Sequence, residues 1–104
     1  TMNARIKIDH AGLSEFCQRW GVAEMALFGS VLRDDFRPDS DVDVLISFHP
    51  NVKRRLIDLI HMEEELARIF CRKVDLVERK LVERSENYIR RRHILSHLEV
   101  LDVA

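Results

Sequence analysis

The hydrophobic and polar positions of the chain change period several times, which predicts alternating helices and strands. Residues 11–20 carry apolar side chains at helical spacing, and Gly21 is typical of the C-terminal end of a helix. Residues 22–28 are an apolar run of strand length, and residues 41–48 alternate between apolar and polar side chains. Residues 30–36 predict a short helix between these strands, followed by a turn.

The second half of the chain continues the alternation. Residues 53–70 predict an amphipathic helix, and residues 73–78 predict a third strand. The tail from about residue 87 predicts a last helix with one apolar side. That side carries Ile94, Leu98 and Leu101. The order α-β-α-β-α-β-α predicts an α/β (α+β) fold, a small mixed sheet of three or more strands flanked by helices.

Composition indicates a packed core rather than a disordered chain. The 104 residues are 46% hydrophobic and 34% charged. The formal net charge of -1 gives no overall attraction to nucleic acid or to a membrane surface, and no apolar run reaches the length of a membrane span. We expect a single domain over residues 2–104, with Met2 as the native start and no signal peptide.

The two cysteines, Cys17 and Cys71, are too few and too far apart to indicate a disulfide framework or a zinc site. Both lie among apolar residues, so we expect two reduced cysteines in the core. This cysteine usage is typical of a cytoplasmic protein.

A Gly-Ser pair followed by two aspartates is the strongest chemical pattern of the chain. Ten residues separate Gly29-Ser30 from Asp41, and Asp43 follows two positions later. On a strand, this spacing places both carboxylates on one face, where they repel each other unless a cation lies between them. Mg²⁺ suits this arrangement because it takes carboxylate and phosphate oxygens as ligands. Gly29 has no Cβ to hinder a phosphate, and Ser30 would offer a hydroxyl and an N–H at a helix N-terminus.

A third aspartate has the same phase in the third predicted strand. Val74 and Leu76 alternate with Asp75, so the carboxylate lies on the opposite face from these apolar side chains. Three acidic side chains on one sheet face are costly unless solvent or metal ions meet them. The pattern therefore predicts a cleft over this face that holds cations.

The spacing Gly29-Ser30-x10-Asp41-x-Asp43 resembles the signature of the polymerase-β-like nucleotidyltransferase superfamily. The short chain resembles its minimal members, the minimal nucleotidyltransferases (MNT) that are paired with HEPN toxins in prokaryotic toxin–antitoxin systems. Residues 85–95 also resemble the C-terminal helix of those proteins. The resemblance implies a nucleotidyltransferase fold. It also implies an antitoxin that transfers AMP from ATP to a hydroxyl, a tyrosine of a HEPN RNase toxin, and so silences the toxin.

The resemblance also implies roles for the aspartates. Asp41 and Asp43 would bind two Mg²⁺ ions, and Asp75 would complete one metal site and help to deprotonate the acceptor hydroxyl. The metal ions would stabilise the attacking and leaving oxygens while pyrophosphate leaves. The plainer interpretation is that these are solvent-facing strand residues. The matching Gly-Ser spacing and the phase of Asp75 favour metal binding.

Three further residues would hold the phosphates of ATP, with Gly29 beside them. Ser30 and Ser40 would contact the β- and γ-phosphates, and Arg33, one helical turn after Ser30, would reach a phosphate. Each also has a plainer interpretation: Ser30 as a helix cap, Ser40 as a turn cap and Arg33 as a surface ion pair.

Two other functions stay open at this point. One is an antitoxin that occludes its toxin without catalysis, and the other is a small-molecule nucleotidyltransferase of the aminoglycoside-modifying type. The intact signature favours an active enzyme over occlusion. A chain of 104 residues leaves no second domain to hold a small acceptor, which favours a protein acceptor.

The basic run Arg90-Arg91-Arg92 does not by itself indicate a nucleic-acid site, because such runs on a helix are usually solvated or contact protein. Arg92 and His97 match the Arg-x4-His pattern of HEPN RNases, but those are helical bundles and this chain has predicted strands. The histidines, His93 among them, are scattered and show no metal-ligand spacing. We expect ATP and a toxin as partners, and neither nucleic acid nor a membrane.

Overall fold

The computed structural model of the protein describes residues 8–29 and 40–103. Its elements are α1 (His10–Trp20), β1 (Val22–Phe28), β2 (Val42–Phe48), α2 (Leu56–Phe70), β3 (Val74–Glu78), α3 (Arg79–Glu83), α4 (Tyr88–Ser96) and β4 (Glu99–Leu101). The helix predicted over 30–36 lies outside the described residues. None of the described helices is long and apolar enough to cross a membrane.

The four strands form one mixed sheet in the order β3-β2-β1-β4. β1 runs antiparallel to both β2 and β4, whereas β2 and β3 are parallel. α2 connects the parallel pair, because parallel neighbours need a crossover rather than a tight turn. The predicted small mixed sheet flanked by helices is therefore confirmed.

The main hydrophobic core lies on one face of the sheet, against α1 and α2. Val42, Val44 and Ile46 are fully buried in it, as the alternation of residues 41–48 predicted. The two helices contribute Leu13, Phe16, Met62 and Leu66. Burial of these side chains supplies most of the hydrophobic stabilisation that holds the helices on the sheet.

Both ends of α1 are capped by residues whose types favour these positions. The Asp9 carboxylate accepts a hydrogen bond from the Gly12 N–H (3.0 Å), which caps the N-terminus. Gly21 ends the helix with a φ of 76°, in the left-handed region, as the sequence predicted. The chain then turns directly into β1, which brings α1 back over the sheet.

A smaller apolar cluster lies on the opposite face of the sheet, against α3 and α4. Its buried members are Ala26, Phe28, Leu45, Val82 and Ile94. Asp43 shares this face with Leu45 by strand alternation, and Asp75 shares it through the pairing of β2 with β3. This face is therefore apolar against the helices and acidic near the starts of β2 and β3.

Strand β3 lies at one edge of the sheet and is tied to α2 by a side chain. The backbone N–H of Leu76 donates to the Glu63 carboxylate (2.9 Å). The amide next to Asp75 in the chain is therefore bonded within the protein.

The C-terminal part of the chain differs from the prediction of one long helix. α4 ends at Ser96, and Glu99–Leu101 form β4. Leu101 pairs with Met25 and enters the main core, whereas Ile94 packs on the opposite face of the sheet. A single helix cannot reach both faces, so the chain passes the edge of β1 and adds a strand whose pairing satisfies that edge.

The prediction of two core cysteines is correct for Cys17 and wrong for Cys71. Cys17 is buried in α1, but Cys71 is exposed. Cys71 ends α2 in the left-handed conformation, with a φ of 55°. A residue that ends a helix in this way follows the last turn and does not continue its buried stripe, so the apolar neighbours gave the wrong indication.

Candidate active site

The register of the sheet places two of the predicted aspartates side by side. Asp43 of β2 and Asp75 of β3 are directly paired in the parallel ladder, so their side chains extend from the same face. Asp43 also lies opposite Phe28, the last residue of β1. Asp43 is half-buried and Asp75 is exposed. Neighbouring strands lie about 4.8 Å apart, a separation at which two carboxylates repel and a shared cation is favourable.

Gly29 follows β1 and lies against Asp43. Its φ is 76°, which side chains rarely adopt, and a Cβ added to it would overlap the Asp43 carboxylate. A residue other than glycine would therefore have to displace that carboxylate. Both the conformation and the available space account for glycine in the Gly29-Ser30 pair.

An open cleft of about 310 Å³ lies over these residues, within the size range of small-molecule sites. Its lining comes from two sides of the molecule. The β1 and β2–β3 side provides Phe28, Gly29, Asp43 and Asp75; α4 provides Arg90, His93 and Ile94, and His97 follows directly after it. The structure thus places a cleft over the acidic face, with an acidic floor and a basic and aromatic wall.

The wall residues are candidates that the sequence pattern did not assign to this site. Their signal is the spacing: Arg90, His93 and His97 follow one another at intervals of three and four residues, which places them on one face of a helix. Asn87 caps the N-terminus of α4, and its side chain accepts a hydrogen bond from the Arg90 N–H (3.1 Å). Whether this face covers the carboxylates depends on the packing of α4, which the spacing does not specify.

The two imidazoles of the wall are adjacent. The ring centroids of His93 and His97 are 4.8 Å apart. Nδ1 of His97 donates to the His93 carbonyl (2.9 Å), because a carbonyl oxygen only accepts. This bond holds the His97 ring against the helix.

Asp41, the other predicted metal ligand, is not part of the cleft lining. It lies directly before β2 and is half-buried. Among the described residues, no three His, Cys, Asp or Glu side chains lie close enough together to hold a metal ion. The three-aspartate metal site stays a prediction, of which the structure brings Asp43 and Asp75 together.

Of the predicted phosphate contacts, Gly29 alone among the described residues lies at the cleft. Ser40 is half-buried beside Asp41 and has an interaction within the protein. Ser30 and Arg33 lie outside the described residues, so their roles stay predictions.

Comparison with known proteins matches most of the chain to one family. The model of the nucleotidyltransferase domain family matches residues 12–98. Protein adenylyltransferase MntA of Thermococcus cleftensis is 40% identical over 63 residues, which are 61% of this chain and 62% of that protein. The candidate protein adenylyltransferase MJ1217 of Methanocaldococcus jannaschii is 31% identical over 65 residues, 62% of this chain and 64% of that protein. The chain spans a little under two thirds of the length of these curated relatives.

Solved structures share the fold. A candidate minimal nucleotidyltransferase superposes with a TM-score of 0.63 at 27% identity, over 89% of this chain and 87% of that chain. A toxin–antitoxin crystal structure with AMP-PNP superposes with a TM-score of 0.68 over 93% of this chain and 75% of that chain. Its identity is 15%, so this second likeness concerns the fold alone. Because the family model covers residues 12–98 and the fold agrees, the chain belongs to the nucleotidyltransferase domain family.

Proposed function

We propose that the protein is a Mg²⁺-dependent nucleotidyltransferase antitoxin that transfers AMP from ATP to a tyrosine hydroxyl of a cognate HEPN toxin. The observation that carries the proposal is the pairing of Asp43 with Asp75 on adjacent strands of a nucleotidyltransferase domain. Gly29 packs against one of these carboxylates, and an open cleft lies over both. Two adjacent carboxylates on the floor of a cleft repel each other, and a metal-bound polyphosphate would relieve that repulsion.

The donor set at the cleft fits Mg²⁺. Asp43 and Asp75 offer carboxylate oxygens, the ligands that Mg²⁺ prefers, and the open cleft leaves room for the waters and phosphate oxygens that it retains. Asp41 would supply a third carboxylate from just outside the cleft. When bound, two such ions would stabilise the charge on the attacking and leaving oxygens.

The chain's own residues would bind and orient the two substrates. Gly29 would allow the triphosphate to approach the backbone, and Ser30, Ser40 and Arg33 would contact its phosphates. Asp75 is exposed at the cleft, which would place it within reach of an acceptor hydroxyl and its proton.

The similar proteins support a protein acceptor. The Thermococcus relative is named a protein adenylyltransferase, and one structural neighbour is a toxin–antitoxin complex with AMP-PNP. We therefore infer a toxin as the acceptor. Its assignment as a HEPN toxin rests on the resemblance of the signature and of the tail.

The test is labelling of a co-purified toxin by labelled ATP and Mg²⁺, followed by mass spectrometry of the toxin. We expect the toxin to gain the mass of AMP on a tyrosine. Asp43→Asn and Asp75→Asn should each reduce labelling by about 100-fold or more, because each removes a charge that the reacting groups require. Asp102→Asn is the matched control, since Asp102 is exposed and outside the cleft lining, and it should label like the wild type.

Three outcomes would contradict the proposal. Labelling that survives in the Asp43→Asn, Asp75→Asn double variant would exclude the carboxylates from the reaction. Neutralisation of the toxin by that double variant in cells would favour occlusion without catalysis. Labelling of an aminoglycoside in the absence of any protein acceptor would favour a small-molecule nucleotidyltransferase.

A further inference from the structure

Two of the three consecutive arginines in α4 are engaged on the surface of the helix. The Arg91 guanidinium donates to the Ser85 carbonyl (3.0 Å) and lies 5.6 Å from the centroid of the Tyr88 ring. The Arg92 guanidinium donates to the Tyr88 hydroxyl (3.1 Å). These contacts hold both cations beside Tyr88 and account for them without a ligand.

Arg90 differs from both neighbours. It lines the cleft with Asp43 and Asp75, and within residues 8–29 and 40–103 its guanidinium has no ion-pair or hydrogen-bond partner. Its backbone is nevertheless well held, because the Arg90 N–H is bonded to the Asn87 cap and Ile94, one turn later, is buried. The structure therefore holds the backbone of Arg90 at the cleft, and no described residue pairs with its charge.

The charges of the cleft are complementary to a metal-bound polyphosphate. Carboxylates on the floor would attract metal ions, and a bound polyphosphate would also present oxygens that those ions leave uncontacted. Arg90 is placed on the opposite wall, and guanidinium groups bind phosphate oxygens in a bidentate manner. An arginine that served only to neutralise the exposed Asp75 would form an ion pair with it, and among the described residues no ion pair joins Arg90 to Asp75.

We propose that Arg90 binds the phosphates of the nucleotide from the α4 wall, as a phosphate contact outside the Gly29-Ser30 signature. The inference rests on the proposed function, because it takes ATP as the ligand of the cleft. It adds a residue from the C-terminal helix to a site otherwise assembled from the sheet. It also predicts that binding energy from Arg90 depends on the number of phosphates rather than on the nucleoside.

The test is equilibrium binding of ATP, AMP and adenosine to the full chain in the presence of Mg²⁺, by calorimetry, without any acceptor protein. Arg90→Gln should weaken ATP binding by about tenfold or more and leave adenosine binding unchanged, because a charge-assisted hydrogen bond is lost. Arg90→Lys should retain part of the affinity, since it keeps the charge but loses the bidentate geometry. Arg92→Gln is the matched control on the same helix and should bind ATP like the wild type.

The outcomes separate this inference from the proposed function. Unchanged ATP affinity in Arg90→Gln, an equal loss in Arg92→Gln, or an equal loss for adenosine would each overturn the role of Arg90 while leaving the transfer reaction intact. Failure of the wild-type chain to bind ATP would overturn both. Arg90 is exposed, so we expect the variants to unfold at the wild-type temperature, and thermal unfolding checks this.

Discussion

At the scale of single residues, Gly29 meets two requirements at once. It adopts a left-handed φ of 76°, and a Cβ at this position would overlap the Asp43 carboxylate. Gly21 has the same φ, but there an added Cβ would meet the side chain of Val52, outside the cleft lining. Substitution of Gly21 therefore measures the effect of the left-handed conformation on stability, whereas substitution of Gly29 adds the displacement of Asp43.

We expect Gly29→Ala to destabilise the protein and also to impair the proposed AMP transfer. The left-handed conformation costs a residue with a Cβ about 1–2 kcal/mol, and the new methyl group displaces Asp43 in addition. Gly21→Ala should lower the unfolding temperature comparably while retaining AMP transfer at temperatures where both variants are folded. Thermal unfolding and toxin labelling measure the two effects. Equal transfer by both variants would show that the contact with Asp43 does not shape the site.

At the scale of secondary-structure elements, one carboxylate joins α1 to α2. Glu65 of α2 accepts hydrogen bonds from the Arg19 guanidinium and from the Trp20 indole N–H (3.2 Å). The Arg19 hydrogen bond, chiefly, holds the pKa of Glu65 below its ordinary value of 4.5. The ionised form of Glu65 is therefore favoured more in the folded protein than in the unfolded chain.

Glu65→Gln should therefore destabilise the protein in a pH-dependent way. A lowered pKa contributes stability above the ordinary pKa of the group, and this contribution is lost as the pH falls from about 4.5 through the folded-state value. We expect the variant to unfold a few degrees below the wild type at pH 7, with the difference shrinking at acid pH. Glu64→Gln, on the exposed side of the same helix, is the control. A pH-independent difference between wild type and Glu65→Gln would assign the effect to packing.

Strands β2 and β4 differ in how well their own sequences predict them. The alternation of residues 41–48 predicted the buried face of β2 correctly, because a strand with one face in the core has a strict period of two. β4 was not predicted, since it has only three residues and pairs with β1, more than 70 positions earlier in the chain. Local periodicity cannot report such a pairing, and the apolar residues around it fitted a helix equally well.

In the candidate site, too, the sequence predicted the features set by local geometry and missed those set by long-range packing. The Gly-Ser spacing and the strand phase pointed to Gly29, Asp43 and Asp75, which line the cleft, because their positions depend on local geometry and on neighbouring strands. The cleft wall was missed because it depends on where α4 packs, which the path of the chain after β3 determines. In the sequence alone, Arg90 and His93 therefore resemble part of a solvated basic run and an isolated histidine.

At the scale of the whole molecule, Cys17 reports on the integrity of the main core. It lies in α1 among the buried residues that α1, α2 and the sheet share. Burial raises the pKa of the Cys17 thiol to about 11, so the reactive thiolate is scarce at neutral pH. Cys71 is exposed and provides an internal comparison within the same chain.

We expect the two cysteines to react with thiol reagents at very different rates in the folded protein. At neutral pH, Cys71 should be labelled first and Cys17 at least about 100-fold more slowly, through opening of the core. Denaturant should remove the difference. Peptide mass spectrometry over a time course measures both sites, and Cys71→Ser should lack the fast phase. Similar rates for both cysteines in the folded protein would mean that α1 detaches readily from the sheet.

The hydrogen bond between Glu63 and the Leu76 amide has a consequence for how another protein can approach. An exposed edge strand invites strand addition by a second chain, and β3 is the edge that carries Asp75. At Leu76, the amide that an added strand would need is already bonded to α2, so augmentation of the sheet there would first have to break that bond. Approach through the open side of the cleft would not require the bond between Glu63 and Leu76 to break. The acceptor of the proposed reaction would therefore reach Asp75 from the cleft rather than by extending the sheet at β3.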